Sequence, residues 1–402
     1  MEGPEQIVIV GASLAGAKAA AALREEGYGG RVVLVGAESE LPYERPPLSK
    51  YYLRGEQERE KALVHDAGFY AEKDIDLRTG AAVEAIDPAG RTVTLAGGET
   101  IDWDRLLLAT GAEPRRLPVP GADLEGVLQL RTVDDSDRLR AAIGAGGRLA
   151  VIGAGWIGAE AAASARQLGA EVTLIERLEV PLETVLGPIV GRIYADAHRE
   201  QGVELLTGVG VEAIEGDGRA ERVRLSDGRT VDCSAVLVGV GVAPRTGLAV
   251  DNGILVDASL QTSAPGIYAA GDVANHDHPF YGRRVRVEHW ANALNQGPAA
   301  ARNMLGADTP YERLPYFYSD QYDIGMEYSG LASAEDEVVI RGDVGARELI
   351  AFWMQDGRVA AGMNMNVWDV TGPIQALIRS RAAIDAGRLA DPSVPLEELA
   401  PA

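Results

Sequence analysis

Two glycine turns carry the most chemical information in this sequence. Gly11-Ala12-Ser13-Leu14-Ala15-Gly16 follows the apolar run Ile7-Val8-Ile9-Val10 and leads into an alanine-rich helical pattern. Gly153-Ala154-Gly155-Trp156-Ile157-Gly158 follows Leu149-Ala150-Val151-Ile152 in the same way. A helix N-terminus entered through such a turn offers free N–H groups and a partial positive charge, which suits a pyrophosphate. Each turn is followed by a second apolar run and then an acid. Glu38 lies 22 residues after Gly16, beyond Val32-Val33-Leu34-Val35, and Glu176 ends Val172-Thr173-Leu174-Ile175. An acid at that point receives the two hydroxyls of an adenosine ribose. At Glu176 it would repel a 2′-phosphate, which favours NADH over NADPH. The neighbouring Arg177 is the one group there that could tolerate the phosphate.

Two dinucleotide sites in one chain require that one hold a redox carrier, because no other part of the sequence stores electrons. The single cysteine, Cys233, excludes an internal disulfide, a CxxC redox pair and a Cys-ligated iron–sulfur cluster. It reads as an inert small residue. The five histidines, at 65, 198, 276, 278 and 289, show no metal-ligand spacing. His276 and His278 read as part of a solvated loop, and no metal is expected. A flavin fits the role, since it accepts a hydride and can release single electrons. With no cysteine relay, those electrons must leave for an external acceptor. Lysine is scarce, at 18, 50, 61 and 73 only, and Lys50 sits in a proline-fixed loop. Glu160, in the first turn of the second helix, suits the helix dipole.

The chain has 402 residues, 46% hydrophobic and 24% charged, with Lys+Arg 38 against Asp+Glu 60 and a net charge of −22. That balance argues against nucleic acid and anionic membranes as partners. No run of 18 apolar residues exists, and Met1-Glu2-Gly3-Pro4-Glu5 lacks a signal-peptide core, so a cytoplasmic protein is expected. The 48 glycines cluster at particular turns. After each glycine unit comes a hairpin, turning at Gly97-Gly98 and at Asp227-Gly228, and then Leu106-Leu107-Leu108-Ala109-Thr110-Gly111 or Val236-Leu237-Val238-Gly239-Val240-Gly241. Gly98 to Gly111 and Gly228 to Gly241 are both 13 residues, so one design occurs twice. Residues 262–272 read as a turn, a short strand and an exposed Gly271-Asp272. Residues 315–402 carry 14 acids and 6 arginines and read as strands at 338–342, 348–354 and 358–366 with a helix near 371–385. The expected fold is α/β: two Rossmann-like dinucleotide-binding domains plus an α+β C-terminal domain. The boundaries expected are 1–112 with 246–314 for a discontinuous FAD-binding domain, 113–245 for an NAD-binding domain and 315–402 for the last.

These motifs, in this order, resemble the two-dinucleotide flavoprotein reductases of glutathione-reductase-like architecture. Leu41-Pro42-Tyr43-Glu44-Arg45-Pro46-Pro47-Leu48-Ser49-Lys50 is similar to one branch, the FAD-dependent NAD(P)H ferredoxin and rubredoxin reductases that serve oxygenases. Glu288-His289-Trp290-Ala291-Asn292-Ala293 with Gln296 fits that branch, as does Pro315-Tyr316-Phe317-Tyr318-Ser319-Asp320-Gln321. The third domain also resembles that of apoptosis-inducing factor. The resemblance implies an FAD site built from Gly11, Ser13, Ala15, Gly16, Glu38, Arg45, Lys50, Val83, Ala109, Thr110, Gly111, Arg131, Gly271, Asp272, Trp290 and Tyr318. It implies an NADH site built from Gly153, Gly155, Trp156, Ile157, Gly158, Glu160, Glu176, Arg177, Gly239 and Gly241. In this family a Lys–Glu pair, here Lys50 and Glu160, sits beside the reactive flavin nitrogen; the ammonium would stabilise charge on the reduced flavin and the glutamate would hold the lysine.

Three features depart from the family. Ser13 replaces a glycine, Tyr318 stands where a tryptophan is common, and Val180 and Thr184 occupy positions where arginines are usual. The implied reaction is electron transfer from NADH through FAD to a ferredoxin supplying a mono- or dioxygenase. Two other readings stay open: an NADH oxidase or a quinone or dye reductase, and a redox-gated interaction protein resembling apoptosis-inducing factor. Arg283, Arg284, Arg286 and Arg302 against Glu288 make residues 281–302 net positive. An acidic ferredoxin is expected to dock near the first three of these arginines.

Overall fold

The first glycine turn sits at the end of the central strand of a parallel sheet. In the computed structural model, which describes residues 3–144, 146–246 and 252–399, the strands run in the order Ile267–Ala269, Arg105–Leu108, Gln6–Val10, Arg31–Val35, Ile75–Arg78. Ile7, Val8 and Ile9 are fully buried, as are Leu106 and Leu107. A strand covered on both faces has no polar side to alternate with, which is why these segments read as unbroken apolar runs. The helix Leu14–Glu25 packs against the helix Trp290–Met304. Ala17, Ala19, Ala20 and Ala22 are buried on the first, and a Cβ on Gly297 of the second would collide with the carbonyl oxygen of Ala15. Small residues thus bring the two backbones together. This sheet and its helices belong to one unit, Met1–Glu44, Glu58–Glu113 and Ala243–Pro315.

The second unit comprises Arg45–Gln57, Pro114–Val242 and Tyr316–Ala402. Its parallel sheet runs Glu204–Leu206, Glu171–Ile175, Arg148–Ile152, Ala235–Val238, Val127–Leu128. The repeat holds down to register. Val10 lies opposite Val35 and Leu108 in the first sheet, and Ile152 lies opposite Ile175 and Val238 in the second. The edge strand differs in origin: Ile267–Ala269 comes from after the repeat, Val127–Leu128 from before it. Both hairpins form, Thr92–Leu95 with Thr100–Asp102 and Arg222–Leu225 with Thr230–Asp232.

The C-terminal segment forms a five-stranded antiparallel sheet, Tyr316–Gln321, Ile324–Gly330, Arg358–Met365, Glu348–Gln355, Glu337–Asp343. It shares a core with the helix Glu183–Glu200: Leu186, Val190 and Tyr194 pack with Phe317, Tyr328 and Trp353. Two of its strands, Tyr316–Gln321 and Ile324–Gly330, were not expected. In the first, the inward positions are Phe317, Ser319 and Gln321, so two of three buried side chains are polar and the apolar alternation is hidden. The expected helix near 371–385 is two, Thr371–Ser380 and Ala386–Ala390, because Arg381 takes a left-handed φ of 51° and ends the first.

Two expectations are corrected. His276 and His278 are not in a solvated loop but buried on the strand Ala274–His278, at 1% and 2% exposure, and burial holds His276 down at about 4. Gly271-Asp272 is not exposed: Gly271 is buried and Asp272 half-buried. Cys233 is buried, and burial pushes its thiol up to about 11. Among the described residues no helix is long and apolar enough to cross a membrane, and no group of three or more His, Cys, Asp or Glu is placed to hold a metal ion.

Candidate functional site

The glycines of the two turns do three different things. Gly11 and Gly153 adopt φ of 117° and 96°, and a Cβ on either would run into the carbonyl oxygen of Ala109 or Gly239. Those contacts tie each turn to the next strand of its sheet. Gly16 and Gly158 are held by packing, since a Cβ on either would strike the carbonyl oxygen of Gly11 or Gly153. Gly155 is under neither constraint. It has φ −71° and ψ −176°, and a Cβ there would meet nothing within 4 Å. The fold does not require glycine at 155, and the missing side chain leaves the backbone there open to close approach by a bound group. Ser13 occupies the matching N-cap position with φ −124° and ψ −160°, extended backbone that any residue adopts, and its side chain caps no N–H. Both turns therefore present unobstructed helix N-termini, the cradle a dinucleotide pyrophosphate needs, and the residues present fit FAD and NADH.

The acids at the strand tips are held differently. Glu38 accepts a hydrogen bond from the Tyr43 hydroxyl. Glu176 accepts from the backbone N–H of Ala154 at 2.7 Å through Oε2 and of Leu178 at 2.9 Å through Oε1. Its carboxylate is thus fixed against its own glycine turn, with lone pairs left for ribose hydroxyls. Arg177 is exposed; Val180 is buried and Thr184 exposed, so neither replaces a phosphate-binding arginine. Ile157 is exposed beside the turn. Trp156 turns its side chain inward instead, with ring centroids 4.8 Å from Phe317 and 6.2 Å from Tyr194.

The first unit brings together further expected residues. Thr110 Oγ1 donates to the carbonyl of Arg245 at 2.6 Å, and Gly111 has φ 70°, matched by 92° at Gly241 in the second unit. Gly271, at φ 80°, donates its N–H to the buried Gln296 side chain at 2.9 Å, which pins the Gly-Asp turn to the helix Trp290–Met304. Trp290 opens that helix and donates from Nε1 to Glu44 at 3.1 Å. Burial holds the Glu44 carboxyl above its usual range, against the pull of that bond. Val83 begins a strand, half-buried, with a register shift between it and Ala85. On the strand Arg283–Arg286, Arg283 and Arg284 are exposed. Arg284 Nη1 nevertheless donates to the carbonyls of Val256 and Asn275 at 3.0 and 3.1 Å, and Arg286 pairs with Glu288 at 2.5 Å and donates to the Asp272 carbonyl at 3.1 Å. Arg302 pairs with Glu26 at 2.7 Å.

The second unit holds the other candidates, and here the chain order is misleading. Residues 45–57 interrupt the first unit in sequence but are anchored on the second. Leu48 and Ser49 offer their carbonyls to Ser136 Oγ and Ser164 Oγ at 2.8 and 2.7 Å, and Arg140 donates to the carbonyls of Tyr52 and Leu53. Arg45 donates to the carbonyl of Arg131, just before the capping box of the helix Val133–Ile143. On the helix Trp156–Gln167, Glu160 is not in the first turn, which carries no acid, but one turn further in, where Trp156, Glu160 and Ser164 recur at four-residue spacing on one face. That face meets the loop and the strand Tyr316–Gln321, and it makes the pair that sequence could only infer. Lys50 Nζ lies 3.0 Å from Glu160 Oε2, with the two residues 3% and 4% exposed. Glu160 also accepts from Ser49 Oγ at 2.5 Å and Ser319 Oγ at 2.7 Å. Lys50 Nζ sits 5.4 Å from the centroid of the Tyr318 ring, within cation–π range. Burial raises the Asp320 carboxyl, with Lys50 opposing. Nothing in the sequence around Ser49 or Ser319 marks either as a partner of Glu160; only their convergence on its carboxylate in space reveals that role.

A chain with twin glycine turns, an acid after each and a buried lysine–carboxylate pair belongs to a defined class. Residues 5–297 match the pyridine nucleotide-disulphide oxidoreductase family and residues 316–400 the reductase C-terminal family. The chain belongs to the pyridine nucleotide-disulphide oxidoreductases. Within them it falls among the ferredoxin reductases of oxygenase systems. It is 41% identical over 401 residues to the 5,5'-dehydrodivanillate O-demethylase ferredoxin reductase subunit of a Sphingobium species, covering 98% of this chain and 97% of that one. It is 40% identical to a probable ferredoxin reductase, CtmF, of Castellaniella defragrans, over 100% of both chains. Among solved structures it is similar to the covalent putidaredoxin reductase–putidaredoxin complex, with a TM-score of 0.94 and 36% identity over 99% of this chain and 98% of that one.

Proposed function

We propose that this protein passes electrons from NADH through a bound FAD to an acidic ferredoxin that supplies an oxygenase. The carrying observation is the pair of matched glycine cradles, each with an acid near its strand tip, in a chain with one buried cysteine and hence no dithiol relay. FAD, when bound, supplies the hydride-accepting and single-electron-releasing chemistry. In this reading the FAD-binding domain is 1–112 with 246–314, except that its loop 45–57 packs with the second unit, the NAD-binding domain is 113–245, and 315–402 is the C-terminal domain. Gly11, Ser13, Ala15 and Gly16 present the first helix N-terminus to the FAD pyrophosphate, and Glu38 takes its ribose. Arg45, Val83, Ala109, Thr110, Gly111, Arg131, Gly271, Asp272, Trp290 and Tyr318 border the remainder. Gly153, Gly155 and Gly158, with backbone groups of Trp156 and Ile157, do the same for NADH, with Gly239 and Gly241 closing the turn and Arg177 nearest the phosphates. Glu176 selects NADH by accepting ribose hydroxyls that a 2′-phosphate would replace with repulsion.

Lys50 keeps a positive charge where negative charge develops on the reduced flavin, and Glu160 holds it there. A fixed cation in a buried site is already oriented when that charge develops. For the acceptor, Arg283 and Arg284 are the exposed cations of their strand and would orient an acidic partner, whereas Arg286 holds the Asp272 turn.

The test is NADH-driven reduction of a panel of iron–sulfur ferredoxins by the FAD-loaded protein, followed by bleaching of the ferredoxin spectrum. At least one ferredoxin should be reduced far faster than oxygen consumes NADH. NADH oxidation that is indifferent to every ferredoxin would favour the oxidase reading.

A further inference from the structure

Glu160 is the end of a longer line of buried hydrogen bonds than holding one lysine requires. Ser319 Oγ, which donates to Glu160 Oε1, lies 3.4 Å from Gln321 Nε2. Gln321 Oε1 lies 3.1 Å from His198 Nε2, and His198 Nδ1 lies 2.9 Å from the Tyr322 hydroxyl. Ser319, Gln321 and His198 are at most 1% exposed. The polarity of the line follows from its end. An ionised carboxylate only accepts, so Ser319 must donate to it. The serine hydroxyl has one proton, so its oxygen must accept from the Gln321 amide. The glutamine oxygen then faces His198, whose Nε2 must carry the proton, and Nδ1 must accept from Tyr322. Every donor points the same way, toward Glu160.

Two independent features fit this arrangement. His198 is held neutral by burial, at about 4, so it carries the one proton the line allows. Tyr322 is one of two residues turning the hairpin between Gln321 and Ile324, at φ 58°, a left-handed conformation in which asparagine or glycine would be cheaper. A tyrosine there brings its hydroxyl to the buried histidine, with ring centroids 5.3 Å apart.

We infer that Tyr322, His198, Gln321 and Ser319 form a one-way hydrogen-bond relay that positions the Glu160 carboxylate, and through it Lys50, and so sets how readily the bound flavin is reduced. This rests on the reading of Lys50 as the cation facing the flavin. The four are positioning residues. Without the relay the Ser319 hydroxyl is free to rotate, Glu160 loses one fixed donor, and Lys50 is no longer confined to one place. Aligned bonds of this kind also polarise one another.

Three measurements test it. In the FAD-loaded protein, nitrogen-15 spectra of labelled His198 should show the neutral tautomer protonated at Nε2; protonation at Nδ1, or an imidazolium near neutral pH, overturns the relay. Gln321→Met, of similar volume, should shift the flavin reduction equilibrium about fivefold toward the oxidised form, about 20 mV in midpoint potential. It should slow flavin reduction with the KM for NADH unchanged. In a Lys50→Met background the same substitution should shift the equilibrium less than twofold, because the pathway already ends in nothing. Tyr322→Phe removes one hydroxyl at the half-buried end and should give a shift of the same sign, about twofold, should Gln321→Met fold poorly. A potential unmoved by both variants, or a Gln321→Met shift undiminished without Lys50, overturns the relay. A potential unmoved by Lys50→Met overturns the reading of the lysine instead, so the two failures are distinguishable.

Discussion

At the scale of single residues, the proposed function gives Lys50 and Glu176 opposite duties, one toward charge that develops and one toward charge that must be kept out. Lys50 is buried with its carboxylate partner at 3.0 Å, so removing it alone leaves a buried anion and costs about 3–5 kcal/mol of stability. Lys50→Met should therefore lower the melting temperature and slow flavin reduction by NADH about tenfold in stopped-flow. Pairing it with Glu160→Gln should restore much of the stability without the rate. Recovery of both would make the pair structural. At Glu176 both oxygens already take backbone N–H groups, so Glu176→Ala loosens the turn as well as the ribose contact. NADH should exceed NADPH about tenfold or more in kcat/KM, since charge repulsion and a lost hydrogen bond together amount to about 1.4 kcal/mol or more. The variant should narrow that ratio, mainly through KM.

At the scale of elements, the second glycine turn holds, within six residues, one glycine the packing demands and one it does not. Gly158 admits no Cβ, because the Gly153 carbonyl lies against it, whereas a Cβ on Gly155 meets nothing. Gly158→Ala should destabilise by about 1–3 kcal/mol through overpacking. Gly155→Ala should leave the melting temperature within a degree or two and raise the KM for NADH several-fold. Equal effects in thermal melting would erase the distinction. The strand Arg283–Arg286 offers a second elemental test, since Arg286 holds the Asp272 carbonyl and Glu288, whereas Arg283 and Arg284 are exposed, Arg284 bonding only to backbone carbonyls. Arg283→Glu with Arg284→Glu should lower kcat/KM for a ferredoxin several-fold and spare ferricyanide reduction. Raising salt from about 50 to 500 mM should erase most of that difference as screening shortens. Equal loss with both acceptors would return these arginines to the flavin site.

At the scale of the whole molecule, three histidines in different places, the buried His198 and His276 and the half-buried His289, are each held near 4 by desolvation. The unfolded chain binds protons at these side chains below about 6.5, and the native chain does not until about 4. Unfolding is thus favoured progressively as pH falls through that window, by up to about 3 kcal/mol per histidine. The melting temperature should drop steadily between pH 6.5 and 4, and His276→Asn should flatten part of that drop. A melting temperature independent of pH across the window would mean the histidines are charged in the folded protein.

The repeat of two dinucleotide units, their hairpins and the acids beyond them were legible in the chain, because a strand buried on both faces, a glycine turn and an alanine helix each write their requirement locally. Gly11 and Gly153 need positive φ, and Ile7 and Val151 need an apolar neighbour on each side; neighbours in sequence suffice to show it. The strand Tyr316–Gln321 was not legible, since its inward face carries Ser319 and Gln321. The burial of His276 and His278 was not legible for a related reason: polar side chains on a buried strand resemble a loop. The relocation of residues 45–57 onto the second unit could not be read either, because Ser136, Ser164 and Arg140, which anchor that loop, lie some 90 to 115 residues further on. The lysine–carboxylate pair, its serine donors and the line running back to Tyr322 exist only where four distant segments meet. Local propensity could propose Lys50 and Glu160 only separately, and only the family resemblance paired them; the 3.0 Å between them is a property of the packed core.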